Sequence, residues 1–365
     1  MFANHTYAEP RVTRTLEWAH ARDWKAFVQG LERDAGDGRW VGFIAYEALA
    51  SEEDVTPREV HPPEPAAFFA WHSRAAAPHA MSARERRHHA TIRDSLGGGA
   101  HRRLVEHIRR CIRDGDVYQV NLTRAFEADV RVDAGDLYAA LTEPHPPQCS
   151  ALVRGDGWAV VSASPEVMLR FDRRSGVAMS MPIKGTVKRE GNDAAEIAAL
   201  LASAKDEAEH LMIVDVVRND FGKVAPPGRV SVAEYRAVRT LDYVHHLEST
   251  VRADGLQDAG VADVLAALAP AASITGAPKR AAVRLIRELE PVARGIYCGT
   301  IGTIDAHGAE MSVAIRTAVV TDSSVRYHAG GGIVWDSDPA AEDDECRAKA
   351  APFFRFLGGA PSTSA

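Results

Sequence analysis

The sequence predicts an α+β fold in which helices flank antiparallel sheets. Its 365 residues are enough for one large domain or two ordinary ones. Hydrophobic residues make up 46% of the chain and charged residues 25%, the balance of a globular protein with a sizeable core. Predicted strands follow one another in pairs and triplets between the helices, whereas a parallel sheet requires a helix between successive strands.

The charge balance and the cysteines exclude several classes of protein. The net charge is −7, whereas a nucleic-acid-binding domain is expected to be basic. No apolar run approaches the about 18 residues of a membrane span, and the N-terminal MFANHTYAEPRV lacks the apolar segment of a signal peptide. We therefore expect a cytoplasmic protein with no nucleic-acid or membrane partner. The widely spaced cysteines are typical of reduced thiols: Cys111, Cys149, Cys298 and Cys346.

The first hundred residues carry the weakest pattern. Residues 14–31 have helical periodicity, and the apolar WVGFIAYEAL that follows predicts a buried strand. Residues 75–100 are polar and basic and end in three glycines, which predicts a connection. We expect a short N-terminal part packed on the same fold, a catalytic domain and a flexible tail, at residues 1–95, 96–357 and 358–365.

From residue 101 onward the elements are easier to predict. Leu104, Ile108 and Ile112 lie four residues apart in a helix that Gly115 ends. The strands are short and bounded by Gly, Asp or Pro. Helices are predicted at 101–114, 193–218, 261–269, 278–289 and 339–356, and strands at 117–124, 149–154, 157–162, 166–171, 177–184, 229–238, 243–252, 295–304, 310–320 and 325–329.

Two pairs of carboxylates on separate helices are the first candidate site. Asp206 and Glu209 share one helix face, and the apolar positions after Glu209 mean that its charge requires a compensating group. Glu342 and Glu345 share a face with Lys349 in the last helix. A solvated face with an ordinary Glu–Lys pair is the alternative for either run. Carboxylates that converge from two helices would suit Mg²⁺.

Strand parity adds two candidates. In YVHHLESTV, His246 faces the same side as Glu248 and Thr250, and His245 faces the apolar side. A site residue is therefore expected at His246, with a structural histidine as the alternative. In strand 310–320, Arg316 is predicted on the face opposite the core, where it is either a carboxylate ligand or a solubilising residue.

Glycine-rich segments leave their roles open. AGGGIVWD follows a strand, so its backbone amides would approach an anion or simply form a turn. Lys184 ends a strand before Gly185, where it is either surface charge or a deprotonated nucleophile. A nucleotide-binding module would use the GGG and TGAPK segments to hold phosphates, but it leaves both carboxylate pairs unexplained.

Taken together, nine segments in order resemble the chorismate-utilising enzymes, which include anthranilate, aminodeoxychorismate, isochorismate and salicylate synthases. The resemblance covers about residues 101–357 and implies a four-layer α/β/β/α sandwich of mostly antiparallel sheets. The segments are GDVYQVNLTR, SASPEVMLRF, MPIKGT, KDEAEHLMIVDVVRNDFG, VHHLESTV, SITGAPKRAA, RGIYCGTIG, AIRTAVV and GGGIVWDSDPAAEDDECRAKA.

The resemblance also implies roles for individual residues. Glu209 and Glu345 match Mg²⁺ ligands, with Asp206 and Glu342 beside them, and the metal binds the ring carboxylate of chorismate. Glu166 matches the general acid beside the departing C4 hydroxyl. His246 matches a catalytic residue that lines the ring site. The implied substrate contacts are Gly185 and Thr186 at the ring, Tyr297, Arg316, Gly331 and Gly332 at the enolpyruvyl carboxylate, and Lys349 near the metal.

Two positions select a branch of the family. Isochorismate and salicylate synthases have a lysine where this chain has Gln119, so water is not expected to be the nucleophile. Anthranilate synthases have PIAGT, whereas PIKGT here resembles the aminodeoxychorismate synthases, in which the lysine attacks C2 and ammonia displaces it at C4. This branch supplies 4-aminobenzoate for folate. The alternatives are anthranilate and aminodeoxyisochorismate synthesis. A closed pocket with Mg²⁺ is expected to lower the pKa of Lys184.

The sequence also departs from the family. The segment that holds tryptophan in many relatives is not recognisable, so tryptophan binding is not expected. The four cysteines lack glycines on both sides, as a glutaminase nucleophile elbow would require. Ammonia is therefore expected from a separate glutamine amidotransferase subunit or from free ammonium.

Overall fold

Two antiparallel sheets, of ten and seven strands among the described residues, form the centre of the molecule. The computed structural model describes residues 6–7, 10–53, 64–73, 75–76, 88–97, 99–143, 147–241, 244–359 and 361. The predicted α+β fold with antiparallel sheets is confirmed.

The strands are β1 (Thr6–Tyr7), β2 (Val12–Leu16), β3 (Arg39–Ile44), β4 (Ala67–His72), β5 (Ala75–Ala76), β6 (Arg93–Asp94), β7 (Gln119–Ala128), β8 (Cys149–Arg154), β9 (Trp158–Ser164), β10 (Val167–Asp172), β11 (Val177–Met181), β12 (Ile183–Lys188), β13 (Val230–Thr240), β14 (Val244–Ala253), β15 (Gly276–Ala277), β16 (Thr300–Asp305), β17 (Gly308–Val313), β18 (Thr317–Thr321) and β19 (Val325–Ile333). The α-helices are α1 (Trp24–Arg33), α2 (Tyr46–Ala50), α3 (Ala100–Arg113), α4 (Ala134–Thr142), α5 (Asp193–Ala202), α6 (Ala204–Gly222), α7 (Val261–Leu268), α8 (Lys279–Leu289) and α9 (Pro339–Phe356).

The two sheets pack face to face, with helices on their outer sides. The ten-stranded sheet has the order β12-β14-β11-β10-β17-β16-β3-β4-β2, with β13 beside β14. The seven-stranded sheet has the order β15-β7-β19-β18-β9-β8, with β6 beside β7. A buried cluster joins Phe43 and Phe68 of the first sheet to Trp158 and Val160 of the second. Helices α4 and α9 pack on the seven-stranded sheet, and α6 and α7 pack on the ten-stranded one.

Strands β2, β3 and β4 belong to the larger sheet, whereas β1 and β5 form a separate two-stranded sheet. β3 pairs with β16 along its whole length and β2 joins through β4. The helical prediction for residues 14–31 is wrong at its start, because β2 pairs with β4, and a helix begins only after Glu17. The predicted strand in WVGFIAYEAL ends at Ile44 and continues as α2. In the predicted connection of residues 75–100, positions 77–87 and 98 lie outside the described residues.

Several predicted elements are divided. The helix predicted at 193–218 breaks at Ser203, whose side chain accepts a hydrogen bond from Asp206 N and caps α6. The strand at 177–184 divides at Pro182, which has no N–H for the ladder. α4 was not predicted, although Asp133 caps it by accepting from Gly135 N and Asp136 N.

The strand predicted at 310–320 is interrupted, which corrects the expectation for Arg316. β17 ends at Val313, and Arg316 has φ of 51° before β18 begins. The alternation of faces therefore stops before Arg316, and it does not share a sheet face with Glu310 and Ser312. Arg316 is exposed.

Among the described residues, the helices are too short or too polar to cross a membrane.

Candidate active site

The candidate site lies where β12, α6, α9 and β19 meet. β12 carries Lys184, and α6 carries Glu209 on its buried face, because the helix begins at the Ser203 cap and turns that face toward β12. Lys184 Nζ lies 2.6 Å from Glu209 Oε2. The Glu209 side chain is 8% exposed and that of Lys184 is 22% exposed. The structure therefore places the candidate nucleophile directly against a candidate metal ligand.

Lysines join the carboxylates of the two helices. Lys205 Nζ lies 3.9 Å from Glu209 Oε1 and 3.7 Å from Glu342 Oε1. Lys349 Nζ lies 2.7 Å from Glu345 Oε1 and donates to Gly330 O at 2.9 Å. The carboxylates that the sequence placed on separate helices thus face one cluster. We call this group of three glutamates (Glu209, Glu342, Glu345) and three lysines (Lys184, Lys205, Lys349) the carboxylate cluster.

Glycines allow this close approach. A Cβ on Gly332 would lie 2.9 Å from Lys184 Nζ, and one on Gly331 would lie 3.1 Å from Glu342 Oε2. Gly185 has φ of 90° at a bulge in β12, and a Cβ there would meet Asp206 at 3.3 Å. The predicted strand 325–329 extends through all three glycines to Ile333. Their backbone therefore lines the site as sheet rather than as a turn.

Glu166 lies just before β10 with 5% of its surface exposed. Ser273 Oγ donates a hydrogen bond to its Oε1 at 2.5 Å. Burial raises the pKa of Glu166 to about 7, although the Ser273 hydrogen bond and the charge of Lys184 act in the opposite direction. A carboxyl group with this pKa is half protonated near neutral pH, which suits a general acid.

The expected lowering of the Lys184 pKa is not found. Burial lowers the pKa of this amine, but Glu209 and then Glu345 and Glu342 outweigh burial, and the pKa lies above its ordinary value. The ion pair with Glu209 accounts for the difference, because the carboxylate stabilises the charged amine. A cation that took the place of Lys184 beside Glu209 would favour the neutral amine.

His210 fixes the backbone of the lysine. His210 is buried, its Nδ1 lies 3.0 Å from Lys184 O and its Nε2 lies 2.6 Å from Ser249 Oγ. Gln119 is also fully buried, and both atoms of its side-chain amide lack hydrogen-bond partners. A Cβ on Gly332 would lie 3.1 Å from this amide, so Gln119 points at the same place as Lys184.

The structure also places the other site residues predicted from the sequence. His246 is buried opposite Thr186 in the β12–β14 pairing, and burial lowers its pKa, which favours the neutral ring. Tyr297 is buried, and its ring stacks on His328 at 5.2 Å between centroids. Arg316 lies near Tyr327, where burial raises the pKa of the phenol to about 12 and the charge of Arg316 opposes this rise.

Three residues around the site were not predicted from the sequence. Lys205 lies one helical turn before Glu209, and this i,i+4 spacing was the available signal. Ser273 lies in a short turn of SITGAPKRA, and His210 follows Glu209 directly. No sequence pattern relates Ser273 to Glu166, since they are 107 residues apart and meet only through the fold.

The carboxylate cluster fits a hard divalent cation. Its acidic donors are oxygens, which Mg²⁺ prefers. Glu342 is buried, and burial together with the charge of Glu345 raises its pKa, while the Ser337 hydroxyl, 2.7 Å away, opposes this. Carboxylates that repel one another in this way are stabilised by a cation.

Comparisons with known proteins identify the fold and the family. Anthranilate synthase component I of Streptococcus pneumoniae TIGR4 superposes with a TM-score of 0.82 at 25% identity, over 96% of this chain and 92% of that one. Residues 3–355 match the chorismate binding enzyme family. The protein belongs to this family, which confirms the resemblance found in the sequence.

Within the family, two named relatives show how far the similarity extends. The chain is 43% identical over 242 residues to aminodeoxychorismate synthase component 1 of Klebsiella aerogenes, covering 65% of this chain and 53% of that protein. It is 39% identical over 243 residues to anthranilate synthase component 1 of Streptomyces coelicolor, covering 65% and 47%. The chain thus spans about half the length of the curated relatives it matches.

Proposed function

We propose that the protein aminates chorismate at C4 with ammonia to give 4-amino-4-deoxychorismate, as an aminodeoxychorismate synthase component I. The observation that carries this proposal is the position of Lys184 in the carboxylate cluster, 2.6 Å from Glu209. Gln119 beside it supplies no amine to activate water. The similarity to the Klebsiella aerogenes protein supports the same assignment.

Mg²⁺ would be held by Glu209 and Glu345, with Asp206 and Glu342 beside it. Bound there, the ion would supply positive charge for the ring carboxylate of chorismate and for Glu209. Without Glu209 as its partner, the Lys184 amine would lose its strongest anionic contact and deprotonate more readily. Lys349 remains beside Glu345 and Gly330, where it orients the second helix of the site.

The chemistry proceeds in two displacements. Lys184 Nζ forms a bond to C2, the ring double bonds shift, and the C4–oxygen bond breaks as Glu166 donates its proton to the departing hydroxyl. Ammonia then forms a bond to C4, the double bonds shift back, and the C2–Nζ bond breaks. The leaving group of the first step is water, and Lys184 is regenerated in the second.

The enolpyruvyl group lies on the β19 side in this proposal. Beyond Tyr327, β19 pairs with β7, while its pairing with β18 has ended, so one edge of the glycine backbone is open to a ligand. Gly331, Gly332, Tyr297 and Arg316 hold the carboxylate of that group. His246, Gly185 and Thr186 contact the ring.

Ammonia comes from a separate glutamine amidotransferase subunit or from free ammonium. The relatives' designation as component 1 supports a partner subunit. We place the reaction in the cytoplasm and in 4-aminobenzoate synthesis for folate, with residues 96–357 as the catalytic domain and residues 1–95 packed on it. The pairing of β3 with β16 supports this packing.

Anthranilate synthesis is the second candidate. The similarity to the Streptomyces coelicolor and Streptococcus pneumoniae proteins favours it. In that reaction ammonia is added at C2 and the enolpyruvyl group leaves as pyruvate. Lys184, in place of the alanine of PIAGT, is the residue that argues against it.

Product analysis tests the proposal. The full chain is incubated with chorismate, Mg²⁺ and ammonium, the products are separated by chromatography, and their masses are measured by mass spectrometry. We expect an amine that retains the enolpyruvyl group, without pyruvate release. Anthranilate with equimolar pyruvate would assign the second candidate, and isochorismate or unchanged chorismate would contradict amination altogether.

A further inference from the structure

A second group of metal-ligand side chains lies on the other face of β14. His245 belongs to β14, and Asp193 and Glu196 belong to the first turn of α5. His245 Nε2 lies 3.4 Å from Asp193 Oδ1 and 3.4 Å from Glu196 Oε2. In the described part of the chain, these three donor atoms lie within 4.8 Å of one another.

Two of the three donor atoms have no hydrogen bond. The His245 side chain is fully buried, and its Nε2 lacks a hydrogen-bond partner. Glu196 Oε2 is also buried without one. Leaving buried polar atoms unsatisfied is costly, so native structures rarely do so without a water, ion or ligand bound there. Both atoms point toward the same space between β14 and α5.

The rest of the imidazole is oriented for a metal. His245 Nδ1 lies 2.9 Å from Thr240 Oγ1 on β13. When Nδ1–H donates to this hydroxyl, the lone pair of Nε2 faces the two carboxylates. Histidines that bind metals are held in this way, by a hydrogen bond from the ring nitrogen that does not bind.

Both carboxylates are also held in place. Arg189 donates to both oxygens of Asp193 at 2.8 Å. Glu196 Oε1 accepts from Glu190 N at 2.9 Å and from Asn192 N at 3.1 Å, which leaves its Oε2 for a ligand. His245 therefore faces two carboxylates. Asp193 is paired with Arg189, whereas Glu196 is held by backbone N–H groups.

The spacing matches a small tetrahedral ion. Zinc bonds to His nitrogen and carboxylate oxygen are about 2.0–2.2 Å long, which places neighbouring ligand atoms about 3.4 Å apart. The two separations from His245 Nε2 have this value. The mixed nitrogen and oxygen donors suit zinc better than magnesium, which prefers oxygen alone.

We propose that His245, Asp193 and Glu196 bind a Zn²⁺ ion that joins the start of α5 to β14, with water as the fourth ligand. This site is separate from the carboxylate cluster, because His245 and His246 face opposite sides of β14. The ion would clamp the connection from β12 to α5, which follows Lys184, Gly185 and Thr186 in the chain.

Zinc binding to the metal-stripped full chain tests the proposal. Zn²⁺ alone is titrated calorimetrically into wild type and into Glu209→Gln, which disables the carboxylate cluster. We expect one tight zinc per chain in both proteins. Glu196→Gln should weaken this zinc at least about tenfold, because an amide oxygen replaces a carboxylate, and His245→Asn should abolish it.

Controls separate this site from other zinc binding. His307→Asn removes an exposed histidine and should bind zinc as wild type does. The glutamine of Glu196→Gln keeps an oxygen that can accept from Glu190 N and Asn192 N, so this variant is expected to fold. It therefore tests the zinc site even if His245→Asn does not fold. Absence of tight zinc binding in wild type would overturn the proposal. So would zinc binding that Glu196→Gln leaves unchanged.

Discussion

Lys184 and Glu166 show how neighbouring groups set protonation inside one pocket. Burial disfavours the charged form of both side chains. Glu166 follows this rule, and its pKa rises to about 7. Lys184 does not, because Glu209 lies 2.6 Å away and raises its pKa. In the proposed reaction the carboxyl group holds a proton and the amine loses one.

The Ser273 hydroxyl tunes the acid. Its hydrogen bond lowers the pKa of Glu166, so Ser273→Ala should raise this pKa further. Addition needs Glu166 protonated and Lys184 deprotonated, so its rate should rise with pH as the amine deprotonates and stop rising above about pH 7 in wild type, where Glu166 loses its proton. In Ser273→Ala this break in the pH profile should move to higher pH. Addition is measured without ammonia, whose own titration would otherwise interfere.

Exposed Ser323→Ala is the control and should keep the wild-type pH profile. A break at the same pH in Ser273→Ala as in wild type would mean that Glu166 is not the acid.

Gly332 provides a steric test at the same scale. A Cβ there would lie 2.9 Å from Lys184 Nζ, so Gly332→Ala should displace the amine. A misplacement of about 1 Å costs on the order of 100-fold in rate. We expect such a loss in amination kcat with an unchanged circular dichroism spectrum. Gly222→Ala is the matched control, because a Cβ at Gly222 meets nothing within 4 Å. Full activity in Gly332→Ala would contradict the placement of Lys184.

At the scale of elements, α6 and α9 together create the carboxylate cluster. Glu209→Gln and Glu345→Gln remove charge without volume, and each should abolish amination and the dependence on Mg²⁺ while the chain stays folded. Glu207→Gln, on the exposed side of α6, should keep wild-type kinetics. Steady-state rates across a Mg²⁺ titration provide the measurement. Near-normal rates in both cluster variants would contradict the proposed Mg²⁺ site and would show that these glutamates form an ordinary solvated helix face.

The elements also show what the sequence could and could not predict. α9 was predicted with its observed bounds, and in the structure Asp338 caps its start while Pro339 occupies its first turn. The interruption at Arg316 was not predicted, since a positive φ in a non-glycine residue has no sequence signal. Local patterns located both acidic pairs. The contacts of Lys205 with Glu342 and of Ser273 with Glu166 depend on tertiary packing, which no local pattern encodes.

At the scale of the whole molecule, the source of nitrogen can be tested. Cys149, Cys298 and Cys346 are buried, and burial raises the pKa of each thiol, to about 12 for Cys149 and Cys298. Such thiols do not act as nucleophiles at neutral pH. Glutamine should therefore not support amination by the purified chain, whereas ammonium at alkaline pH should. Glutamate release from glutamine would show a glutaminase that the cysteines do not suggest.

The covalent lysine distinguishes the proposed reaction from anthranilate synthesis most directly. The full chain is incubated with chorismate and Mg²⁺ without ammonia, and its intact mass is recorded. We predict added mass equal to chorismate minus water, present in wild type and in Lys188→Ala, whose side chain is exposed on the same strand. Lys184→Ala should lack the added mass and lose most of its aminodeoxychorismate formation. An unmodified wild-type chain, together with an undiminished amination rate in Lys184→Ala, would contradict the account.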